Sequence, residues 1–430
     1  MLNNFKQKIC SSTGKRLLSN FFSLSGIQMA SYILPLITVP YLVRVLGVEK
    51  FGLIAFAQAI IRYFVLFTDY GFGLSATKQI AEHREDKKHI SEIFSSVLMV
   101  KLLLLLVSVI LLSVFVFSFE KFAKDWQLYY LTFGIVIGQA MFPVWYFQGI
   151  EKMHITALIN IVPKVIFTIS IFIFVRSTED YLYVPLINSL GFLLAGLLSL
   201  WLAISRFKVS FLFLNFEQMK YQLKEGWHIF LGNISSTFST LNITFLLGIM
   251  TNPTMVGYYA AVEKIIRPLA SLNSPVINSI FPHLFYTAKS DPEKAFTFSK
   301  KISLLVSGIM FAIGFVLFIF SDQIVNIVFG EQFQDSSMIL KIMAFIPMLH
   351  SLIHIYMLPN MIIHNFKKAY SKILFFSFLL SLLSSYVFIK FFTSKGAAFA
   401  ALLTDIFVLT AMGLYLKKHL KFKKRDENDN

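Results

Sequence analysis

Six cationic side chains lie within long apolar stretches of this chain, where a charge is costly unless it does chemistry. They are Arg62, Lys101, Lys164, Lys264, Arg267 and Lys341. A charge at the centre of a bilayer costs about 2.5 to 3.5 kcal/mol even on an insertion scale, so each needs a partner, water or a ligand. Arginine suits a phosphate ligand because its planar group donates two parallel hydrogen bonds. These cations therefore predict an anion-binding cavity.

Arg62 and Arg267 lie deepest in their apolar stretches. Each lies eleven residues after the start of its stretch, at Phe51 and Val256 respectively, which is a depth of about 16 Å. The alternative for Arg267 is a structural ion pair with Glu263, four residues earlier on one helix face. No acid lies at that spacing from Arg62. We therefore predict anion binding at Arg62, and either anion binding or pairing at Arg267.

The lysines are nearer the ends of their stretches. Lys101 and Lys164 either face a lumen and bind substrate or extend along their own stems to the membrane interface. Lys264 follows Glu263 directly, so it is a candidate both for substrate binding and for a charge pair. Lys341 is close enough to the end of its stretch to reach the interface.

Two acids, Glu263 and Asp405, also lie inside apolar stretches. Burial favours the neutral form of a carboxyl group, so either acid is a candidate to carry a proton in an ion-coupled cycle. The alternative is that each acid neutralises a cation of the lumen.

His350 and His354 have the i,i+4 spacing that places both rings on one helix face. This spacing can serve zinc, but no acidic or thiol ligand accompanies the two histidines in the sequence. We predict no metal and no other cofactor, and expect hydrogen bonds to a sugar or to a neighbouring helix.

The composition is that of a membrane protein. Of the 430 residues 56% are hydrophobic and 14% charged, 48 are Phe, and the mean hydropathy is +0.69. These values exclude a water-soluble globular chain. The formal charge of +16 does not indicate nucleic acid binding, because Lys and Arg cluster between apolar runs, where they set membrane orientation. The one cysteine, Cys10, excludes an intrachain disulfide.

Twelve apolar stretches are long enough to span a membrane as helices. They lie near 21–43, 51–73, 93–119, 126–150, 155–175, 181–204, 226–250, 256–282, 301–320, 337–360, 371–392 and 396–416. The sequence therefore predicts an all-α polytopic membrane protein. The loops between the stretches are short, so none of them can hold a soluble catalytic domain, and we expect no enzyme.

Lys and Arg are concentrated on one side of these predicted spans. They crowd the N-terminus, the loops near 74–92, 205–225 and 283–300, and the tail 417–430. Because Lys and Arg are retained on the cytoplasmic side during insertion, both termini are predicted to be cytoplasmic in a bacterial inner membrane. The tail is expected to contact anionic lipid headgroups.

An internal repeat divides the chain. Residues 51–62, FGLIAFAQAIIR, match residues 256–267, VGYYAAVEKIIR, at an offset of 205. The repeat predicts an N-terminal lobe at 1–205, a C-terminal lobe at 206–416 and the basic tail. Six spans in each lobe give both halves the same orientation, around a cavity that opens alternately to either face.

Several strings resemble one family. Residues 46–52 (LGVEKFG), 69–71 (DYG), 75–77 (SAT), 143–153 (PVWYFQGIEKM) and 329–333 (FGEQF) are similar to the polysaccharide-repeat, or O-antigen, flippases. This family belongs to the multidrug/oligosaccharidyl-lipid/polysaccharide (MOP) exporter superfamily. The resemblance covers about residues 15 to 415.

The resemblance implies a twelve-helix exporter. It implies movement of an undecaprenyl-diphosphate-linked oligosaccharide from the cytoplasmic to the periplasmic leaflet, for lipopolysaccharide and other surface polysaccharides. A cationic lumen would receive the diphosphate. The expected partners are the lipid-linked glycan, the bilayer, a polysaccharide polymerase and a chain-length regulator. Nucleic acid is not an expected partner.

Three other functions are open on the sequence. A cation-coupled drug or metabolite antiporter of the same fold should carry an acidic ion site in one lobe, whereas cations predominate here. A membrane-embedded polysaccharide polymerase should carry a large periplasmic loop with catalytic polar residues. A lipid II flippase of the same superfamily should have additional C-terminal helices.

Overall fold

The computed structural model describes residues 12–212 and 215–426. Within these ranges it does not describe the side chains of 12–33, 35, 157, 234–240 and 420–426. The described chain is helical throughout and contains no strand. The prediction of an all-α protein is therefore confirmed for this part of the chain. Cys10 lies outside the described residues.

The chain divides into two compact units. The first unit comprises Met1–Thr38 and Ala57–Ile234, and the second comprises Val39–Phe56 and Ser235–Asn430. The two units differ from the predicted lobes in two places, since residues 39–56 group with the second unit and residues 206–234 with the first. The predicted lobe boundary at residue 205 stays a prediction.

Eight α-helices lie wholly or mainly in the first unit. They are α1 (Ser12–Asp69), α2 (Phe72–Glu82), α3 (Lys87–Ser118), α4 (Glu120–Ala123), α5 (Trp126–Met141), α6 (Val144–Gly149), α7 (Met153–Phe174) and α8 (Tyr183–Ser205). Helices α5 and α8 cross closely, because Gly138 and Gly196 leave no side chain between the two backbones. A 3₁₀ turn at Thr178–Leu182 precedes α8.

The second unit contains the remaining helices. They are α9 (Phe216–Met250), which begins in the first unit, α10 (Pro253–Ser271), α11 (Asn273–Ser290), α12 (Pro292–Ile319), α13 (Ser321–Phe329), α14 (Ser336–Met343), α15 (Ile346–Ser351), α16 (Leu358–Ile363) and α17 (Lys367–Asp426). One π-helical segment, Leu352–Met357, joins α15 to α16.

Eight helical segments are long and apolar enough to cross a membrane. They are Leu36–Glu82, Lys87–Ser118, Trp126–Gly149, Met153–Phe174, Thr178–Ser205, Pro292–Ile319, Ser336–Ile363 and Lys367–His419. The first and last of these each contain parts of two predicted spans. The predicted spans at 226–250 and 256–282 correspond to α9, α10 and α11, which are helical but less apolar.

The breaks within the longest helices lie between predicted spans. In α1 the backbone breaks at Gly47, whose φ of 70° suits a residue without a side chain. Asp69 ends the same helix, and the chain turns through Tyr70 (φ 43°) and Gly71 (φ 81°) before α2. In α17 the break is at Thr393. Asp69 therefore lies at a bend between α1 and α2.

Candidate functional site

The second unit encloses a cavity of ≈ 370 Å³. Helix α10 lines it with Tyr259, Glu263 and Arg267, and the segment around the π-helical turn lines it with His350 and His354. Helix α17 contributes both polar and apolar residues, namely Tyr370, Leu374, Ser377, Ala401, Thr404, Asp405, Val408 and Met412. Three of the predicted site residues, Glu263, Arg267 and Asp405, therefore lie around one cavity.

Glu263 and Arg267 form an ion pair on α10. Both Nε and Nη2 of Arg267 contact Oε1 of Glu263, at 2.8 and 2.5 Å. The pair follows from their i,i+4 spacing on one helix face. The Glu263 side chain is only 14% exposed, so water solvates its charge poorly. The guanidinium group of Arg267 compensates that charge instead. Of the two interpretations of Arg267, the structural pairing is confirmed, and anion binding stays a prediction.

His350 pairs with the second acid of the cavity. Its Nε2 atom lies 3.3 Å from Oδ2 of Asp405, which belongs to α17. The His354 ring lies 5.4 Å from the His350 ring, centroid to centroid. His354 belongs to the π-helical segment, a local irregularity that is frequent at functional sites. The expected bond from these histidines to a neighbouring helix is confirmed at His350.

The cavity is nearly balanced in charge. Its lining carries two carboxylates, Glu263 and Asp405, and one guanidinium group, Arg267, so its net charge is minus one when both histidines are neutral. This balance differs from the cationic lumen that a count of deep lysines and arginines suggested. Among the described residues, no group of three His, Cys, Asp or Glu side chains is arranged to hold a metal ion.

The first unit holds three of the six deep cations, Arg62, Lys101 and Lys164. Arg62 lies on α1 with its side chain exposed. Lys164 lines a small cavity of ≈ 30 Å³ between α7 and α8, together with Asn160 and Asn188. These side chains make the site polar, and its volume of ≈ 30 Å³ is too small for a sugar. Any binding of substrate by these two cations remains a prediction.

Lys101 is fully buried and paired. Its side chain on α3 is 2% exposed, and its Nζ atom donates a hydrogen bond of 2.8 Å to Oδ1 of Asp69. Asp69 is 58% exposed, so the ion pair ties the buried ammonium group to the bend after α1. Asp69 and Lys101 are 32 residues apart in sequence, which is why spacing alone did not pair them.

Two further lysines have defined positions. Lys264, on α10, is half-buried beside the Glu263–Arg267 pair. Lys341, on α14, contacts Oδ2 of Asp322 at 2.9 Å. Ser337 also donates a hydrogen bond to this carboxylate, and these two donors hold the pKa of Asp322 below its usual value. Lys341 thus serves the packing of α13 against α14.

Three of the strings that carry the family resemblance, 69–71, 75–77 and 143–153, lie in the first unit, and the strings 46–52 and 329–333 lie in the second. Thr77 of the 75–77 string donates a hydrogen bond of 3.1 Å to the backbone oxygen of Trp145. Gly149 packs on Thr77 and Ile80, where an added Cβ would lie 2.6 Å from the Ile80 side chain. Arg84 contacts Glu151 at 2.8 Å. The strings 75–77 and 143–153 therefore shape the contact of α2 with α6.

Comparison with known proteins defines the family. Residues 17–288 match the profile of the polysaccharide biosynthesis protein family. A candidate O-antigen transporter of Escherichia coli (strain K12) is 30% identical over 400 residues, which cover 93% of this chain and 96% of that protein. The predicted resemblance is confirmed.

Two solved structures share the fold. An inward-facing multidrug resistance transporter of the MATE family, in the MOP superfamily, has a TM-score of 0.71 at 12% identity, covering 91% of this chain and 96% of that one. The lipid II flippase MurJ, in an inward closed conformation, has a TM-score of 0.69 at 15% identity, covering 91% and 87%. The predicted twelve-helix MOP exporter fold is confirmed by these structures.

The relatives also define the general activity. They are named as transporters and flippases, and the chain is a transporter and not an enzyme. Its apolar helices make it a multi-pass membrane protein. With a profile match over more than half of its length and a 30% identical relative over nearly all of it, the chain belongs to the polysaccharide biosynthesis protein family of membrane transporters.

Proposed function

We propose that this protein is a flippase for a lipid-linked glycan. Its substrate is an undecaprenyl-diphosphate-linked oligosaccharide, the repeat unit of an O-antigen, which it moves from the cytoplasmic to the periplasmic leaflet. The similarity to an O-antigen transporter over 93% of the chain supports this substrate class. The glycan then enters surface polysaccharide and lipopolysaccharide biosynthesis.

The observation that carries the proposal is the exposed guanidinium group of Arg62. It lies eleven residues after Phe51 on a helix of a membrane span, and its exposed side chain is accessible to an anionic ligand. A diphosphate offers oxygens for two parallel hydrogen bonds to this group. We assign the diphosphate to Arg62.

The other cations have supporting roles in the proposal. Lys164 and Lys264 are half-buried, and they add positive potential for the diphosphate and for anionic sugars. Arg267 holds Glu263 and contributes its positive charge to glycan binding. The burial of Lys101 and its bond to Asp69 support a positioning role, in which Lys101 fixes the bend after α1.

Transport proceeds by alternating access. The oligosaccharide and the diphosphate occupy the protein interior, and the polyprenyl chain stays in lipid. An inside-negative potential drives an outward-moving anion by about 2.3 kcal/mol per charge per 100 mV. Asp405 or Glu263 carries a coupling ion in the opposite direction.

The topology of the proposal follows the loop charges. Both termini face the cytoplasm of a bacterial inner membrane, because Lys and Arg cluster on that side. A polymerase and a chain-length regulator on the periplasmic side consume the flipped units, which keeps the cycle moving outward.

The test is a deletion strain complemented with single variants. We expect the deletion to lose long-chain surface polysaccharide and Arg62→Ala to restore less than about a tenth of it, since a charge-assisted bidentate bond is worth about 1.5 to 3 kcal/mol. Arg62→Lys, which keeps the charge but not the fork, restores an intermediate amount. Surface polysaccharide is measured by electrophoresis at matched protein levels in the membrane.

Arg206→Ala is the matched control, because Arg206 is also exposed but lies just after α8, outside the spans. It should restore the wild-type amount. Normal surface polysaccharide in the deletion strain would reject the substrate class. Normal polysaccharide with Arg62→Ala, in a strain that depends on the gene, would reject the role of Arg62.

A second candidate function has one observation in its favour. The second-unit cavity carries two acids, as expected of a cation-coupled drug or metabolite antiporter, and the fold is shared with a multidrug transporter. If this function is correct, the deletion strain becomes sensitive to cationic drugs while its surface polysaccharide is unchanged. The glycan proposal predicts the reverse result.

A further inference from the structure

The charged groups of the second-unit cavity form two pairs. The net charge of one pair, called the fixed pair, does not change with pH, and that of the other, called the variable pair, does. In the fixed pair, Oε1 of Glu263 accepts from two nitrogen atoms of Arg267 at 2.8 and 2.5 Å. A guanidinium group does not lose its proton in proteins, so this pair contributes no net charge. Glu263 is therefore neutralised by Arg267 and is the weaker candidate for ion coupling, although the sequence alone did not distinguish it from Asp405.

The variable pair is His350 with Asp405. Nε2 of His350 lies 3.3 Å from Oδ2 of Asp405, and the two side chains are 32% and 21% exposed, so both are reachable from the cavity. An imidazole takes up or releases a proton near neutral pH, whereas arginine and lysine do not. The charge of the cavity as a whole is thus set by this pair: minus one without an added proton, and zero with it.

The surroundings of His350 contain few other charges. Helix α10 presents Tyr259, Glu263 and Arg267 to the cavity, and α17 presents Tyr370 and Asp405. The π-helical segment presents His354. Helices α11 and α12, which also pack against this segment, contribute no charged residue to the lining, and the described parts of α9 and α14 contribute only Ile243 and Met343.

We propose that the His350–Asp405 pair binds the proton that is exchanged for the lipid-linked glycan. Nε2–H donates to Oδ2 of Asp405, and the added proton binds the lone pair of Nδ1. Imidazole becomes imidazolium, no bond other than N–H forms, and the cavity gains one positive charge. The proton belongs to the pair as a unit.

His354 limits the site to one proton. Its ring centre lies 5.4 Å from that of His350, and two imidazolium rings at this distance repel each other. The site also favours a proton over a metal cation, because a sodium or calcium ion needs several oxygen ligands. Here one carboxylate faces an imidazole and the other faces a guanidinium group.

The coupling role rests on the proposed flippase function, whereas proton binding itself does not. An empty carrier that returns with a neutral cavity crosses the bilayer at lower electrostatic cost than one with a net charge. Proton binding from the periplasm would therefore speed the return step, and release to the cytoplasm would return the cavity to its charge of minus one for the next cycle.

Proton binding is tested on the purified full-length protein in detergent. Histidine labelled with ¹³C at Cε1 gives one NMR signal per ring, and the His350 signal is the one missing in His350→Gln. We expect this signal to shift with pH between pH 5 and 9. In Asp405→Asn the midpoint of the shift should need a proton concentration about tenfold higher, which corresponds to one pH unit. His354→Gln should leave the His350 signal titrating. A His350 signal that does not move with pH, or that is indifferent to Asp405→Asn, would overturn the proposal.

Coupling is tested in the complemented deletion strain. With the wild-type gene, surface polysaccharide should fall about tenfold when a protonophore abolishes the pH gradient, and with His350→Gln it should be low with or without the protonophore. His228→Gln removes an exposed histidine of α9 outside the cavity and should behave as wild type. A His350→Gln strain with normal, protonophore-sensitive polysaccharide would overturn the coupling and leave the flippase function standing. A deletion strain with normal polysaccharide would instead reject the flippase function.

Discussion

The same arginine occurs twice in this molecule with opposite surroundings. Arg62 of the first unit and Arg267 of the second coincide at the 205-residue offset of the internal repeat. Four residues before Arg267 is Glu263, which binds it, and at the same repeat position before Arg62 is the uncharged Gln58. The first unit thus has Gln58 at the repeat position where the second unit has the carboxylate that pairs with Arg267.

This difference indicates a division of labour. In the proposed function, Arg62 of the first unit binds the anionic substrate. The second unit compensates its arginine and leaves the variable His350–Asp405 pair to set the charge of its cavity. Counting deep lysines and arginines treats both units alike, so it overstates the positive charge of the second unit.

The repeat also contains two glycines that touch each other, and their loss should have the largest effect on stability. Gly52 and Gly257 coincide at the offset of 205, and an added Cβ at Gly52 would lie 1.9 Å from the backbone oxygen of Pro253 and 2.7 Å from the nitrogen of Gly257. Gly52→Val should therefore destabilise the protein by up to about 3 kcal/mol. Thermal unfolding in detergent measures the loss.

Gly73→Ala is the matched control for this glycine. Nothing lies within 4 Å of an added Cβ at Gly73, on α2. Its unfolding temperature should stay close to that of the wild type. Equal unfolding temperatures for Gly52→Val and the wild type would show that the two repeats do not need this close approach.

The next largest effect concerns the compensated arginine. Glu263→Gln leaves Arg267 half-buried without its carboxylate, which should cost about 2 kcal/mol, less than for a fully buried pair because Arg267 is 34% exposed. Adding Arg267→Met should recover most of this loss. A double variant no more stable than Glu263→Gln would contradict the pairing as the source of stability.

Sequence predicted the local parts of this arrangement. The i,i+4 spacing identified the possible Glu263–Arg267 pair, and hydropathy identified the helices, because both depend on neighbours along the chain. It could not pair His350 with Asp405 or Lys101 with Asp69, since those contacts join different helices. The spans predicted at 226–250 and 256–282 fall on α9, α10 and α11, which are helical but are not among the eight segments apolar enough to cross a membrane.

A smaller effect is expected at the ion pair of the first unit. Asp69→Asn removes the partner of the buried Lys101 ammonium group and should cost about 1 kcal/mol, since Asp69 itself is 58% exposed. Lys101→Met in the same chain should restore stability, because a long apolar side chain fills the same space. If Lys101→Met stops glycan export in a stably folded protein while Asp69→Asn, which breaks the same ion pair, does not, Lys101 binds substrate directly and does not act through the bend.

The most direct test makes the first unit resemble the second. Gln58→Glu places a carboxylate four residues before Arg62, as Glu263 is placed before Arg267, and Gln58→Leu is the uncharged control. In a complemented deletion strain, Gln58→Glu should lower long-chain surface polysaccharide about tenfold, as expected when about 1.4 kcal/mol of anion binding is lost. Gln58→Leu should leave it near the wild-type amount. Normal surface polysaccharide with Gln58→Glu, at matched protein levels, would contradict an anion-binding role for Arg62 and with it the division of labour between the two units.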